Sequence, residues 1–153
     1  MRISKFEMYM EMARVAAKRS HDAETQVGAV LVNNTTGAVL ATGCNGFVRG
    51  ARDNELPNTR PEKYKYMVHA EENLVANCAR HGISMDNCTL YCTMSPCVKC
   101  MRLLWQCGIT SIIVENLYRD VEDIQAMDDI KLTIGRDSVI PAQHNFYVLE
   151  YSI

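Results

Sequence analysis

Two β-rich runs, QVGAVLVN (26–33) and GAVLATGCN (37–45), are joined by little more than NNTTG, and so short a turn-forming stretch leaves room only for a hairpin. Any sheet this chain builds therefore contains an antiparallel pair near its start. Upstream, Phe6, Met10, Ala13 and Ala17 recur at helical spacing among charges, which predicts an amphipathic helix over 4–19. Downstream the pattern predicts a second helix over 69–81, with Leu74, Val75, Cys78 and Ala79 as its core stripe and Gly82 as its stop. A buried strand CTLYCTM (88–94), a third helix over CVKCMRLLWQCG (97–108) and a strand TSIIVE (110–115) follow. The acidic RDVEDIQAMDDIK (119–131) reads as helical, and a last strand falls near NFYVLEYS (145–152). The order α β β α β α β α β predicts an α/β fold in three αβα layers: a central mixed five-stranded sheet flanked by helices. No repeat, low-complexity tract or linker divides residues 1–153, so a single domain is expected.

With 48% hydrophobic and 22% charged residues the composition is that of a globular protein. No apolar run reaches the length of about 18 residues that a membrane helix needs, and charges run through the N-terminal segment, so neither a membrane span nor a secretory signal is expected. The expected location is cytoplasmic. A net charge of −2 and a pI near 6.1 lack the electrostatic footprint of a phosphate-backbone binder, which makes nucleic acid an unexpected partner. A local basic pocket for a small anion is compatible with the same numbers. Seven cysteines, an odd count without an export signal, argue against a disulfide framework.

Two short stretches carry chemistry. In SPCVKC, Pro96 suits the first turn of a helix, which puts Cys97 and Cys100 at i and i+3 on one face of that turn, where the helix dipole favours thiolates. Taken alone, the pair reads equally as buried core cysteines, as a redox couple or as half of a metal site. In YMVHAEENLVANCARHG (66–82), His69 and Glu71 head the second helix. One histidine and two thiolates complete a three-ligand zinc set that leaves a fourth position open. Glu71, two residues from His69, projects to a different side and is placed to act as a general acid–base. Between residues 45 and 66 no period is sustained, and Gly46, Gly50, Pro57 and Pro61 interrupt any element. That loop carries Arg49, Arg52, Arg60, Lys63 and Lys65, a basic surface or a plain polar loop.

The pairing of HAE with PCVKC resembles the H-x-E and P-C-x-x-C signature of zinc-dependent nucleobase deaminases, the cytidine deaminase superfamily. The surrounding SHDAETQVGAVLVN, GCNGF, KYKYMVHAEENLVANCARHG and TLYCTMSPCVKCMRLLWQCGITSIIVE are most similar to the deoxycytidylate (dCMP) deaminases. The resemblance implies a cytidine deaminase-like fold in which His69, Cys97 and Cys100 hold Zn2+ and Glu71 is catalytic. It implies that the Ala70 N–H contacts the pyrimidine carbonyl, that Asn45 binds the sugar and that Tyr118 and Arg119 lie near the substrate phosphate. The implied reaction is hydrolysis of dCMP to dUMP and ammonia, feeding the thymidylate precursor pool. The family also implies a homo-oligomer, commonly a hexamer, and a regulatory site near the long loop where dCTP, carried with Mg2+, activates and dTTP inhibits. Within the same chemistry the nearer alternatives are cytidine, a modified substrate such as 5-methyl-dCMP, or a tRNA adenosine. A structural zinc module, with Cys88 or Cys92 as fourth ligand, is the alternative from another class.

Overall fold

The computed structural model describes residues 1–118, 121–134 and 146–151. The chain runs α1 (Lys5–Ala17), β1 (Gly28–Asn33), β2 (Val39–Cys44), a single 3-10 turn (Glu62–Lys65), α2 (Ala70–His81), β3 (Cys88–Met94), α3 (Val98–Gln106), β4 (Ile109–Asn116), α4 (Val121–Gln125), β5 (Ile130–Ile134) and β6 (Tyr147–Tyr151). The strands form one sheet in the order β2-β1-β3-β4-β6-β5. β1 pairs antiparallel with both β2 and β3, β3 and β4 are parallel across the α3 crossover, and β6 is antiparallel to β4 and β5.

The α/β class and the mixed sheet are as expected, but among the described residues the sheet has six strands rather than five. The additional strand comes from the segment expected to be helical through Lys131. There the helix stops at Gln125, and Ile130, Leu132 and Ile134 alternate at the period of a strand. Register pairing from Ile130 opposite Tyr151 to Ile134 opposite Tyr147 supplies the backbone partners that a helix end would lack.

Alternation along the central strands makes the three layers. Val30 and Val32 of β1, Tyr91 of β3 and Ile113 of β4 face α1, packing with Tyr9, Met10 and Ala13. Ala29, Leu31, Leu90, Cys92, Ile112 and Val114 face the other way, against Leu74 and Cys78 of α2, Met101 and Leu104 of α3 and Ile124 of α4. Each fully buried leucine on this side contributes about 1.5–3 kcal/mol of apolar transfer. In α2 the buried stripe is Ala70, Glu71, Leu74 and Cys78: Leu74 and Cys78 are buried as expected, whereas Val75 is half-buried and Ala79 is exposed.

Two glycines permit the close approach of helix to strand. A Cβ on Gly28 would lie 1.9 Å from the Ala13 carbonyl oxygen of α1, and one on Gly43 would lie 2.7 Å from the Ala70 carbonyl oxygen of α2. The second contact sets the first turn of α2 directly on the end of β2. As a result one end of the sheet gathers the entry to β1, the exits of β2, β3 and β4, and the N-termini of α2 and α3, the location at which open α/β sheets hold ligands.

Candidate active site

α2 begins where His69, in an extended conformation, caps the helix, and its N–H donates to the Glu72 carboxylate three residues on (3.1 Å). The Asn73 amide donates to the Cys44 carbonyl (2.7 Å), which ties this first turn to the exit of β2. Ala70 is the first residue of the helix, so its N–H has no acceptor within the helix. Glu71, by contrast, turns inward and is 4% exposed. The Cys92 thiol of β3 donates to its Oε1 (3.4 Å). Burial pushes the Glu71 carboxyl above its ordinary value, which favours its protonated form relative to an exposed carboxylate.

The second helix terminus comes from β3. Ser95 is buried, its N–H donating to the Asn116 carbonyl (2.8 Å) and its Oγ accepting from the Tyr118 N–H (2.7 Å). Cys97, rather than Pro96, starts the helix: it is the cap of α3, the buried Pro96 precedes it, and Cys100 is the third residue inside. The cap still puts both sulfurs beside His69. His69 Nδ1 or Nε2, Cys97 Sγ and Cys100 Sγ all lie within 4.8 Å of one another, with Cys100 Sγ and His69 Nδ1 3.6 Å apart. Tetrahedral bonds of about 2.3 Å to sulfur and about 2.0 Å to nitrogen separate the two ligand atoms by roughly 3.5 Å, so the spacing fits zinc. The donor set fits as well. Hydrogen bonds from the Cys100 thiol and from His69 push Cys97 down to about 4, and the thiolate in turn raises His69 to about 9. The same coupling to Cys97, with burial, pushes Cys100 up. A Cys97 thiolate is thus already present beside a protonated His69, and a dication replaces the protons that remain on His69 and Cys100. Among the described residues neither Cys88 nor Cys92 joins this group: Cys88 bonds to the Asp86 carbonyl and Cys92 to Glu71.

His69, Glu71 and Cys97 line a cavity of about 350 Å³, a volume in the range of small-ligand sites. Ala70, Asn45 and Tyr118 line it too, whereas Arg119 lies outside the described residues. The Asn45 amide is held in one orientation. Its Oδ1 accepts from the Val27 N–H (2.9 Å), and its Nδ2 donates to the Thr25 carbonyl (2.9 Å) and to Asp22 (3.3 Å). Both amide hydrogens are used, so Asn45 presents its remaining oxygen lone pair to a ligand.

The remaining wall comes from residues that the sequence reading placed elsewhere or passed over. Lys63 of the long loop is buried, and its ammonium binds both carboxylate oxygens of Asp22 (2.9 and 2.8 Å). Asp22 also accepts from the N–H groups of Glu24 and Thr25. Burial pushes its carboxyl up, but the bonds from Lys63 and these N–H groups outweigh burial and leave it below its ordinary value. Arg60 and Tyr64 line the same cavity, so part of the basic loop belongs to this site; Arg49 lines a separate cavity of about 770 Å³ with Arg19 and Arg80. An aspartate followed by the N–H groups of Glu24 and Thr25 is a turn signal readable in HDAET, and it could have marked Asp22. Nothing in EKYKY distinguishes a buried lysine from a solvated one.

Residues 3–116 match the model of the cytidine and deoxycytidylate deaminase zinc-binding region. The chain belongs to the cytidine and deoxycytidylate deaminase family. Deoxycytidylate deaminase of Mus musculus is 35% identical over 127 residues, covering 78% of this chain and 70% of the mouse protein, and that of Homo sapiens is 33% identical over the same length. The dCMP deaminase of the cyanophage S-TIM5, solved in complex with dCMP and dUMP, superposes with a TM-score of 0.67 at 31% identity, over 82% of this chain and 93% of the phage chain. Family membership makes this chain an enzyme of the deaminase class, and the His69, Cys97 and Cys100 group lies within the residues matched to the family's zinc-binding region, which supports zinc.

Proposed function

We propose that this enzyme hydrolyses dCMP to dUMP with release of ammonia, using zinc held by His69, Cys97 and Cys100. The observation that carries the reading is the buried Glu71 carboxylate opening into the same cavity as the three metal-ligating atoms. Zinc bound by such a set is a Lewis acid that makes water a nucleophile at neutral pH. Glu71 takes one proton of the attacking water and passes it to ring N3, then takes the proton of the hydroxyl added at C4 and passes it to the amino group as the C4–N bond breaks, so that one buried carboxylate serves in turn as base and as acid. The Ala70 N–H, at the positive end of α2, donates to the pyrimidine carbonyl oxygen. Asn45 accepts from the sugar hydroxyl, the only role its fixed amide leaves it. Tyr118, with Arg119 beside it in sequence, serves the phosphate.

Several wider elements of the proposal rest on family likeness. Residues 1–153 act as one catalytic domain in the cytoplasm, supply the thymidylate precursor pool, and assemble as a homo-oligomer, with a hexamer as the specific expectation. The cavity bearing Arg19, Arg49 and Arg80 offers the cationic wall that a triphosphate carried with Mg2+ needs, and it is assigned to activation by dCTP and inhibition by dTTP. Ammonia release by zinc-loaded protein on dCMP, CMP, 5-methyl-dCMP, deoxycytidine, cytidine and a tRNA anticodon stem tests the substrate. dCMP is expected to give the highest kcat/KM; reaction confined to the nucleosides or the RNA overturns the nucleotide reading and leaves the zinc chemistry standing. Repeating the dCMP assay with Mg-dCTP and with dTTP tests regulation, and an unchanged rate with either overturns it.

A further inference from the structure

A substrate whose reacting carbon lies at Glu71 and the metal group points its 5′-phosphate at another wall of the cavity. Among the described residues, and apart from His69, the cations on that lining are Lys63 and Arg60. They differ in what they can offer. The Lys63 side chain is 3% exposed and committed to both oxygens of Asp22, with Glu24 at 3.5 Å, so its charge is already balanced. The Arg60 side chain is 35% exposed. Its Nε donates to the Tyr64 hydroxyl (2.7 Å) and its Nη2 to the Thr25 hydroxyl (2.9 Å), while Tyr118 also interacts with it. The guanidinium fork on the cavity wall, bracketed by these hydroxyls, has the planar donor geometry that suits an oxyanion.

Among the described residues the acid on this guanidinium is Glu24, through an Nη1 contact of 3.3 Å at a partly exposed position. Such contacts contribute little, and a dianion able to take two N–H groups at once displaces one readily. Glu24 keeps other partners when displaced, because it accepts from the Arg60 backbone N–H (2.6 Å) and lies beside Lys63.

We infer that Arg60 joins Tyr118 and Arg119 in reading the substrate's 5′-phosphate, with the Thr25, Tyr64 and Tyr118 hydroxyls arranged around it, making it a specificity-determining side chain between nucleotide and nucleoside. The inference rests on the nucleotide reading of the site and assigns it to a loop residue. Lys63 acts behind it as the buried counter-ion that fixes Asp22, and through Asp22 the turn bearing Thr25.

The test compares kcat/KM for dCMP and for deoxycytidine in zinc-loaded wild type, Arg60→Ala and Arg60→Lys. Arg60→Ala is expected to lower the dCMP-to-deoxycytidine ratio by about 30-fold or more, through KM, the scale of a lost charge-assisted pair. Arg60→Lys keeps the charge without the fork and should recover part of that ratio. Equal losses on both substrates, or a preserved preference for dCMP in Arg60→Ala, overturn the assignment. A wild type that shows no preference for dCMP is a different result: it overturns the nucleotide reading itself, and the role of Arg60 with it.

Discussion

The two ends of the cavity are built by different means. At the chemical end, His69, Glu71, Cys97 and Cys100 stand on the first turns of two helices whose bodies are buried in the main core, so their positions are fixed by the sheet and by the Gly43 approach. At the recognition end, Asp22, Thr25, Arg60, Lys63 and Tyr64 come from connecting segments and a 3-10 turn, and they are held by hydrogen bonds and one buried ion pair. Under the proposed function, the reaction is specified by helix termini and the choice of substrate by polar contacts between loops, so the two should fail separately when mutated.

The largest separation is expected at the metal group. Cys100→Ala should abolish detectable deamination and reduce bound zinc to background in elemental analysis; full zinc retention would mean that the three-atom group is not the site. Glu71→Gln should keep the zinc and lose about 10²- to 10⁴-fold in kcat, the usual worth of general acid–base assistance. Together the two variants divide the chemical end into metal binding and proton transfer.

At the recognition end the expected effect is on stability. Lys63→Met leaves the Asp22 carboxylate buried without its partner, and removing one member of a buried pair typically costs about 3–5 kcal/mol, readable as a fall in the denaturant midpoint. Adding Asp22→Asn to Lys63→Met should restore much of that loss, since no uncompensated charge then remains. An unchanged midpoint in Lys63→Met would erase the contrast between the two ends. The smallest effect is a pH dependence. The Asp22 carboxyl lies below its ordinary 3.8 in the folded chain, so its contribution is complete above that value and is lost as the pH falls through the lower folded value. The stability difference between wild type and Asp22→Asn should therefore stay constant between about pH 5 and pH 8 and shrink below about pH 4. A difference that instead changed through neutrality would assign the dependence to another group.

The same division explains what could be read in the sequence. Hydrophobic period gave α1, α2 and the central strands because each buries a regular face, and the ligand spacing in HAE and PCVKC is local, so the chemical end was legible from two short stretches. β5 was missed because IKLTI is committed to a strand only by pairing with β6, whose partner residues lie 13 to 21 positions further along the chain and which a local pattern does not register. Pro96 was placed one step too far into α3 because a proline before a capping residue and one in the first turn look alike in sequence. The Lys63–Asp22 pair spans 41 residues and Arg60–Thr25 spans 35, so neither partner implies the other until the chain is folded.

The central claim is that one buried carboxylate and a three-ligand zinc group hydrolyse a deoxycytidine nucleotide. Its most direct test is to incubate zinc-loaded protein with dCMP and quantify dUMP and ammonia together, with zinc-loaded Glu71→Gln in parallel. The account predicts equimolar dUMP and ammonia from the wild type and a rate at least about 100-fold lower from the variant at equal zinc content. Wild-type protein with zinc bound that leaves dCMP unchanged, or a Glu71→Gln variant that turns it over as fast, would contradict it.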